Sequence, residues 1–239
     1  MIAAPRYAVY YTPPPESPWW RFGCRWLGRD AATGATLPPP ELPDLPPDWN
    51  TIVAAPRRYG FHATLKAPFA LAGESSERDL CAVAGAVARG RRPFPLPALQ
   101  VAELADFVAL QPAWGSAALE LLAQDCVILF ERCRAPLTAT DADRRAAGLN
   151  DWQRELLAQW GYPYVFDQYR FHLTLTGPLS ESRRRAVAEL LAPEVERLNA
   201  EPPTVDAVCI FREAAPDEPF RLAWRFGFDG RREEFAAVH

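Results

Sequence analysis

Apolar positions along the chain follow two spacings, one typical of strands and one typical of helices. Runs rich in aromatic and β-branched residues predict strands at 6–12, 57–69, 98–102, 106–110, 164–177, 204–212 and 220–228. Apolar residues three or four apart predict helices at 16–32, 75–89, 116–132, 141–160 (interrupted near Gly148) and 180–199. Residues 33–56 are rich in proline and predict a loop. Because strands and helices are mixed and several strands are neighbours, the pattern favours an α+β fold.

A ten-residue pattern occurs twice. Residues 59–68 read Tyr-Gly-Phe-His-Ala-Thr-Leu-Lys-Ala-Pro, and residues 169–178 read Tyr-Arg-Phe-His-Leu-Thr-Leu-Thr-Gly-Pro, so six of ten positions agree. The chain has three histidines, and two of them, His62 and His172, lie in these His-x-Thr-Leu motifs. A predicted helix follows each copy. The repeat therefore predicts two related strand–helix halves.

The alternation of side chains along a strand separates each copy into two faces. One face is apolar, and we expect Tyr59 and Tyr169 to pack there. The other face is polar and presents a candidate site. Its members are Arg58, His62, Thr64 and Lys66 in the first copy, and Arg170, His172, Thr174 and Thr176 in the second.

These residue types suit a phosphate ester. Two imidazoles that titrate near neutral pH can serve as base and acid, which predicts His62 and His172 as a catalytic pair. Thr64 and Thr174 can donate hydrogen bonds to phosphate oxygens, and the Arg and Lys side chains add positive charge, with Thr176 as a further contact. Two histidines without a carboxylate or cysteine pattern make a poor metal site, so we expect no metal and no cofactor.

Here the residues resemble a known family. The doubled His-x-Thr-Leu motif is similar to the 2H phosphoesterase superfamily. Residues 20–34, 57–69, 130–138 and 160–177 resemble its branch named for phosphonate utilisation, which is associated with carbon–phosphorus lyase operons. The resemblance implies one bilobed α+β domain over 1–239 with a central cleft between pseudo-twofold halves. We expect lobes at about 1–115 and 161–239, with inserted helices at 116–160.

The resemblance also implies an activity: metal-free hydrolysis of a cyclic phosphate, of the 2′,3′-cyclic nucleotide or 1,2-cyclic ribose phosphate type, in phosphonate metabolism. Two alternatives stay open. One is a module that binds a phosphate ligand or RNA ends without turnover, and the other joins or trims RNA ends. The 30 acidic residues outnumber the 26 basic ones, for a net charge of −4, which argues against a long nucleic-acid track.

Other features concern location and the rim of the site. Five cysteines without a Cys-x-x-Cys pair argue against a disulfide framework. The first residues lack the pattern of a secretory signal, and no apolar run reaches 18 residues, so we expect a cytoplasmic protein without a membrane span. The sequence does not predict the oligomeric state. The Trp-rich segment at 19–26 favours core packing, with a lid as the alternative, and Arg132 and Arg134 are further candidates for the cleft.

Overall fold

Residues 4–235, which the computed structural model describes, form an α+β fold around one large antiparallel sheet. The strands are β1 (Arg6–Tyr11), β2 (Ala63–Ala70), β3 (Phe94–Pro95), β4 (Leu99–Leu104), β5 (Phe107–Pro112), β6 (Leu173–Thr174), β7 (Thr204–Val205), β8 (Ala207–Glu213), β9 (Arg221–Gly227) and β10 (Arg232–Glu234). The helices are α1 (Pro18–Leu27), α2 (Trp49–Ile52), α3 (Ala54–Tyr59), α4 (Glu77–Arg89), α5 (Ala117–Leu129), α6 (Ala139–Ala146), α7 (Asp151–Trp160) and α8 (Glu181–Leu198). His239 lies outside the described residues.

The eight-stranded sheet has the order β10-β9-β8-β1-β2-β6-β5-β4. Strand β1 lies inside it and is buried on both faces. Tyr7, Val9 and Tyr11 enter one hydrophobic core, and Ala8 and Tyr10 enter a second. Burial on both faces explains why the β1 sequence is apolar without interruption. The fold class predicted from the sequence is therefore confirmed at the level of a mixed α+β fold, whereas the bilobed pseudo-twofold arrangement and its lobe boundaries stay predictions.

Side-chain caps begin two of the helices. The Ser17 side chain accepts a hydrogen bond from the Trp20 amide, with Pro18 opening α1. Ser76 and Asp79 form a reciprocal capping box at α4. The Trp-rich segment is core, because the side chains of Trp19, Trp20 and Trp26 are nearly fully buried.

Two predicted strands are shorter than expected. Residues 54–59 form α3, which ends at Gly60 with a φ of 81°, so the strand predicted over 57–69 begins only at Ala63. The strand predicted over 164–177 is reduced to Leu173–Thr174, because a 3-10 helix at Phe166–Gln168 turns the chain just before it. The prediction that Arg58 lies on the same strand as His62 is therefore wrong: Arg58 belongs to α3.

No helix within residues 4–235 is both long enough and apolar enough to cross a lipid bilayer.

Candidate functional site

The two His-x-Thr motifs meet near the middle of the sheet. Ala63 of β2 is the register partner of Leu173 of β6 in an antiparallel pair. Extending that register by one residue in each direction sets each motif's threonine across from the other motif's histidine. The four side chains share one face and are all half-buried. They are His62, Thr64, His172 and Thr174.

Both imidazole rings are held by the same local hydrogen bond. Nδ1 of His62 lies 2.9 Å from the carbonyl oxygen of Gly60, and Nδ1 of His172 lies 2.8 Å from that of Arg170. A carbonyl oxygen can only accept, so each neutral ring carries its proton on Nδ1 and leaves Nε2 as an acceptor. Nε2 of His62 lies 3.4 Å from Oγ1 of Thr64, whose hydroxyl can donate to it.

The environment keeps both rings neutral at pH 7. Burial lowers the pKa of His62 to about 4, the hydrogen bond to Gly60 opposes this, and the charge of His172 lowers the pKa further. Burial also lowers the pKa of His172. The ring of Tyr10 stacks on His62 with centroids 3.7 Å apart, which fixes the ring plane. The site thus presents two basic nitrogens whose protonation depends on what binds beside them.

A pocket of about 540 Å³ opens beside the motifs. This volume falls in the range of small-molecule sites. Its walls come from β2, from the β4–β5 turn, and from segments within 134–145 and 160–172. Four of the predicted site residues line it, namely Thr64, Lys66, Arg170 and His172, whereas His62 and Thr174 lie outside its lining.

Lys66 is buried and already has partners. Its ammonium donates to the carbonyl oxygen of Val127 at 2.8 Å and to the carboxylate of Glu131 at 2.7 Å. The guanidinium of Arg134 lies 2.6 Å from the same carboxylate. Two cations therefore share one acid, in a group that we call the Glu131 cluster (Lys66, Glu131 and Arg134). Arg134 lines the pocket, as the sequence suggested, whereas Arg132 is exposed.

Arg58 and Thr176, which we expected on the polar face of the motifs, are instead engaged by other parts of the protein. Arg58 forms ion pairs with the buried Glu213 at 2.5 Å and with Asp217 at 3.1 Å. Thr176 is almost fully buried, and its Oγ1 accepts a hydrogen bond from the amide of Val108 at 2.9 Å. This bond ties the segment after β6 to β5.

The remaining predicted residues differ in exposure. Arg170 is exposed at the pocket, and its carbonyl oxygen orients His172. Tyr59 and Tyr169 are half-buried rather than fully in the core. Tyr59 stacks on Phe220, with ring centroids 5.3 Å apart.

Two basic residues of the pocket were missed by the sequence analysis. Arg6 of β1 lines the pocket and is paired with Glu213, in a group that we call the Glu213 cluster (Arg6, Arg58 and Glu213). Arg145 of α6 also lines it and donates to the carbonyl oxygen of Gly161 at 2.8 Å. No local pattern marks either residue, since each reaches the pocket through packing between distant parts of the chain.

Within residues 4–235, no group of three or more His, Cys, Asp or Glu side chains is arranged to hold a metal ion. The metal-free, cofactor-free site expected from the sequence stays a prediction.

Two curated relatives carry the same name. The chain is 40% identical over 243 residues to "Ribose 1,5-bisphosphate phosphokinase PhnN" of Janthinobacterium sp. (strain Marseille), covering 98% of this chain and 53% of the relative. It is 37% identical over 221 residues to the protein of that name from Laribacter hongkongensis (strain HLHK9), covering 91% of this chain and 50% of the relative. The chain thus spans about half the length of the curated relatives it matches.

These names correct the activity expected from the sequence. A phosphokinase transfers a phosphoryl group, so the prediction of a hydrolase that opens cyclic phosphodiesters is wrong. The binding-module and RNA-end alternatives gain no support from the names either. The expected link to phosphonate metabolism fits these relatives, whereas membership of the 2H phosphoesterase superfamily is not shown.

A match to a protein family model shows to which family the chain belongs. Residues 64–221, more than half of the chain, match the model described as "Protein of unknown function (DUF1045)". The match begins at Thr64 and includes the whole second His-x-Thr motif. The chain belongs to the DUF1045 family.

Proposed function

We propose that this chain binds a phosphorylated ribose in its pocket, as the part of a ribose 1,5-bisphosphate phosphokinase system that handles the sugar phosphate. The names of the two relatives supply the substrate class. The pocket supplies a volume suited to a small ligand.

The charge of the pocket lining is the observation that carries the proposal. The lining contains five basic side chains and one acidic side chain. In the whole chain the balance is reversed, with 30 acidic and 26 basic residues. Lys66 and Arg134 share one carboxylate, that of Glu131, and Arg6 shares that of Glu213 with Arg58, so the cations still outnumber their acids. This excess of positive charge, in a protein of net charge −4, favours an anionic ligand. The basic residues are Arg6, Lys66, Arg134, Arg145 and Arg170, and the acid is Asp141.

In this proposal the two His-x-Thr motifs bind the phosphate of that ligand. The Thr64 and Thr174 hydroxyls can donate to its oxygens. The two imidazoles are neutral without ligand, but a nearby phosphate favours their protonated forms. Protonation at Nε2 turns each ring from an acceptor into a charged donor. In this proposal the pair binds and orients the phosphate and takes up protons as it does so.

A kinase also needs a nucleoside triphosphate as phosphoryl donor, and in this proposal the donor binds outside this chain. A P-loop kinase holds the triphosphate with a Gly-rich loop that ends in Gly-Lys-Ser or Gly-Lys-Thr. The single lysine of this chain, Lys66, follows Leu65 in β2 and is paired with Glu131. Because the relatives are about twice as long, we place the phosphoryl donor in their remaining length.

Isothermal titration calorimetry with ribose 5-phosphate and with ribose tests the proposal. We expect saturable binding of the phosphate ester and none of the free sugar. Thr64→Val should weaken binding by about tenfold or more, since a hydrogen bond to a charged group is worth roughly 1.5–3 kcal/mol. Thr51→Val, at an exposed position on α2, is the matched control and should change nothing.

Two results would overturn the proposal. One is the absence of ribose 5-phosphate binding, and the other is an equal effect of the Thr64 and Thr51 substitutions. A separate assay with ATP and ribose 1,5-bisphosphate tests whether the phosphoryl donor binds outside this chain. Phosphoryl transfer by this chain alone would refute our placement of the donor site elsewhere.

A further inference from the structure

The exposed apolar side chains of this protein are concentrated in one region. Within residues 4–235, six large hydrophobic side chains are exposed, and all six lie between residues 114 and 164. Single exposed apolar residues scattered over a surface are normal, whereas a concentration of them marks an interaction surface. We call these six residues the outer patch (Trp114, Leu121, Ile128, Leu129, Trp152 and Tyr164).

Helix α5 is apolar on two opposite faces. Its inner face packs into the core through Leu119, Leu122 and Cys126, which are nearly fully buried. Leu121 and Ile128 are seven residues apart, which is about two turns, so they share the opposite face. That face is open, because Leu121 is 59% exposed and Ile128 is 43% exposed. Apolar residues all round a helix are typical of a buried helix, so the outer face of α5 is suited to cover by another surface.

The outer patch reaches the mouth of the pocket. Val127 of α5 and Leu156 of α7 lie in one hydrophobic cluster, which joins the two helices that carry most of the patch. Val127, directly before Ile128, lines the pocket. Tyr164 belongs to the patch and lines the pocket as well. A partner that covers the patch therefore lies beside the bound ligand.

The exposed area is comparable with that of a protein–protein interface. Trp114 is 65% exposed, Trp152 is 47% exposed and Tyr164 is 46% exposed. Because an aromatic side chain has about 150–250 Å² to bury, the six side chains together offer on the order of 600 Å². One partner contributes about 800 Å² to a standard interface. The patch is thus large enough to form the centre of one.

The partner follows from the length of the relatives. The chain aligns with 53% of one relative and 50% of the other, so each relative carries a second part of similar length in the same polypeptide. In the proposed function that part binds the phosphoryl donor. Reacting atoms must approach to about 3–3.5 Å, so the donor part has to lie beside the pocket. A second copy of this chain would bring another sugar-phosphate pocket and no donor.

We propose that the outer patch is the docking surface of the phosphoryl-donor part, which corresponds to the remaining length of the two relatives and presents a complementary apolar face. The inference rests on the proposed function, which supplies the identity of the partner. Docking there removes the outer face of α5 from water and brings the donor to the mouth of the pocket.

Hydroxyl-radical footprinting tests the docking, because oxidation of a side chain slows when solvent no longer reaches it. The comparison is between this chain alone and a chimera in which it replaces the matching part of the Janthinobacterium relative, so that the remaining part of that relative is attached. Oxidation of Leu121 should fall about fivefold or more in the chimera, since a residue that is 59% exposed becomes buried. Pro39 and Pro43, which are exposed in the loop before α2, should react equally in both proteins.

Two substitutions make the test specific. Leu121→Asp places an unpaired charge at the centre of the proposed interface, so it should return the oxidation of Ile128 in the chimera to the level of the free chain. Ala186→Asp, at an exposed position on α8, is the matched control and should keep Ile128 protected. In the free chain Leu121→Asp should leave ribose 5-phosphate binding unchanged, because Leu121 lies outside the pocket lining.

Each outcome bears on a different statement. Equal oxidation of Leu121 in the free chain and in the chimera overturns the docking surface and leaves the proposed function standing. A free chain that sediments as a dimer, and as a monomer after Leu121→Asp, also overturns it, because the patch then binds a second copy. Protection of the patch without ribose 5-phosphate binding overturns the proposed function alone. If the chimera fails to fold, the full-length Janthinobacterium relative replaces it, and the helix aligned with α5 should be protected to the same extent.

Discussion

Gly23 offers a sharp test of how the first motif is positioned. It lies inside α1, against the fully buried ring of Phe61, the residue before His62. A methyl group at Gly23 would lie 2.0 Å from Cγ of Phe61, and two further ring carbons would be within 2.4 Å. These atoms belong to a rigid ring close to the backbone, so Gly23→Ala should push Phe61 and β2 away from α1.

The size of the effect follows from two opposing contributions. Alanine inside a helix is more stable than glycine by about 0.5–1 kcal/mol. Overpacking a core costs about 1–3 kcal/mol, and this contact is at the severe end. We expect Gly23→Ala to lower the free energy of unfolding by about 2 kcal/mol. Gly85→Ala in α4 is the matched control, because its new methyl group meets nothing closer than the end of the Arg89 side chain at 3.3 Å.

Urea denaturation of the three proteins measures the difference. Gly85→Ala should raise the free energy of unfolding by up to about 1 kcal/mol, so the same substitution has opposite signs in the two helices. Gly23→Ala should also weaken ribose 5-phosphate binding, because His62 moves with Phe61. A Gly23→Ala protein as stable as the wild type would show that α1 does not restrain the first motif.

Three further predictions concern the histidines and threonines. Between pH 6.5 and about 4 the unfolded chain takes up a proton at residue 62 that the folded chain does not, because burial lowers the pKa of His62. Acidification over this range should therefore lower the free energy of unfolding of the wild type by up to about 3 kcal/mol more than that of His62→Gln, measured by urea denaturation at several pH values. An equal dependence of the two free energies on pH would contradict the buried neutral ring. Thr176→Val should lower the free energy of unfolding by about 1–2 kcal/mol, because the buried Val108 amide loses its acceptor, and it should leave the affinity for ribose 5-phosphate unchanged. Thr174→Val should instead weaken that affinity. A loss of affinity in Thr176→Val but not in Thr174→Val would refute these roles. Binding of ribose 5-phosphate near pH 7.5 should take up protons, seen by calorimetry in buffers of different ionisation enthalpy, and its affinity should fall as pH rises; binding without proton uptake would exclude imidazole protonation.

Local signals in the sequence predicted much of the secondary structure. The helical spacing of apolar residues located α1, α4, α5 and α8, because this signal acts within a few residues. Period-two alternation correctly placed His62 and Thr64 on one face. It failed over 57–60 and over 164–170, where the chain turns through α3 and a 3-10 helix.

Distant partners could not be read from the sequence. Lys66 meets Glu131 across 65 residues, and Arg58 meets Glu213 across 155 residues, so neither pairing leaves a local pattern. The reaction was also mispredicted, for a chemical reason. Paired imidazoles and hydroxyls indicate a phosphate ligand, but the same groups suit hydrolysis, transfer or binding.

The narrow contact between β2 and β6 has a mechanical consequence. One register pair, Ala63 with Leu173, joins the β10–β2 part of the sheet to the β6–β4 part in the described residues. Such a joint is where partial opening costs least, and amide hydrogen exchange there should be faster than in β1 or β8. A phosphate held by both motifs crosses this joint, so ligand binding should slow exchange on both sides of it and make the two parts unfold together.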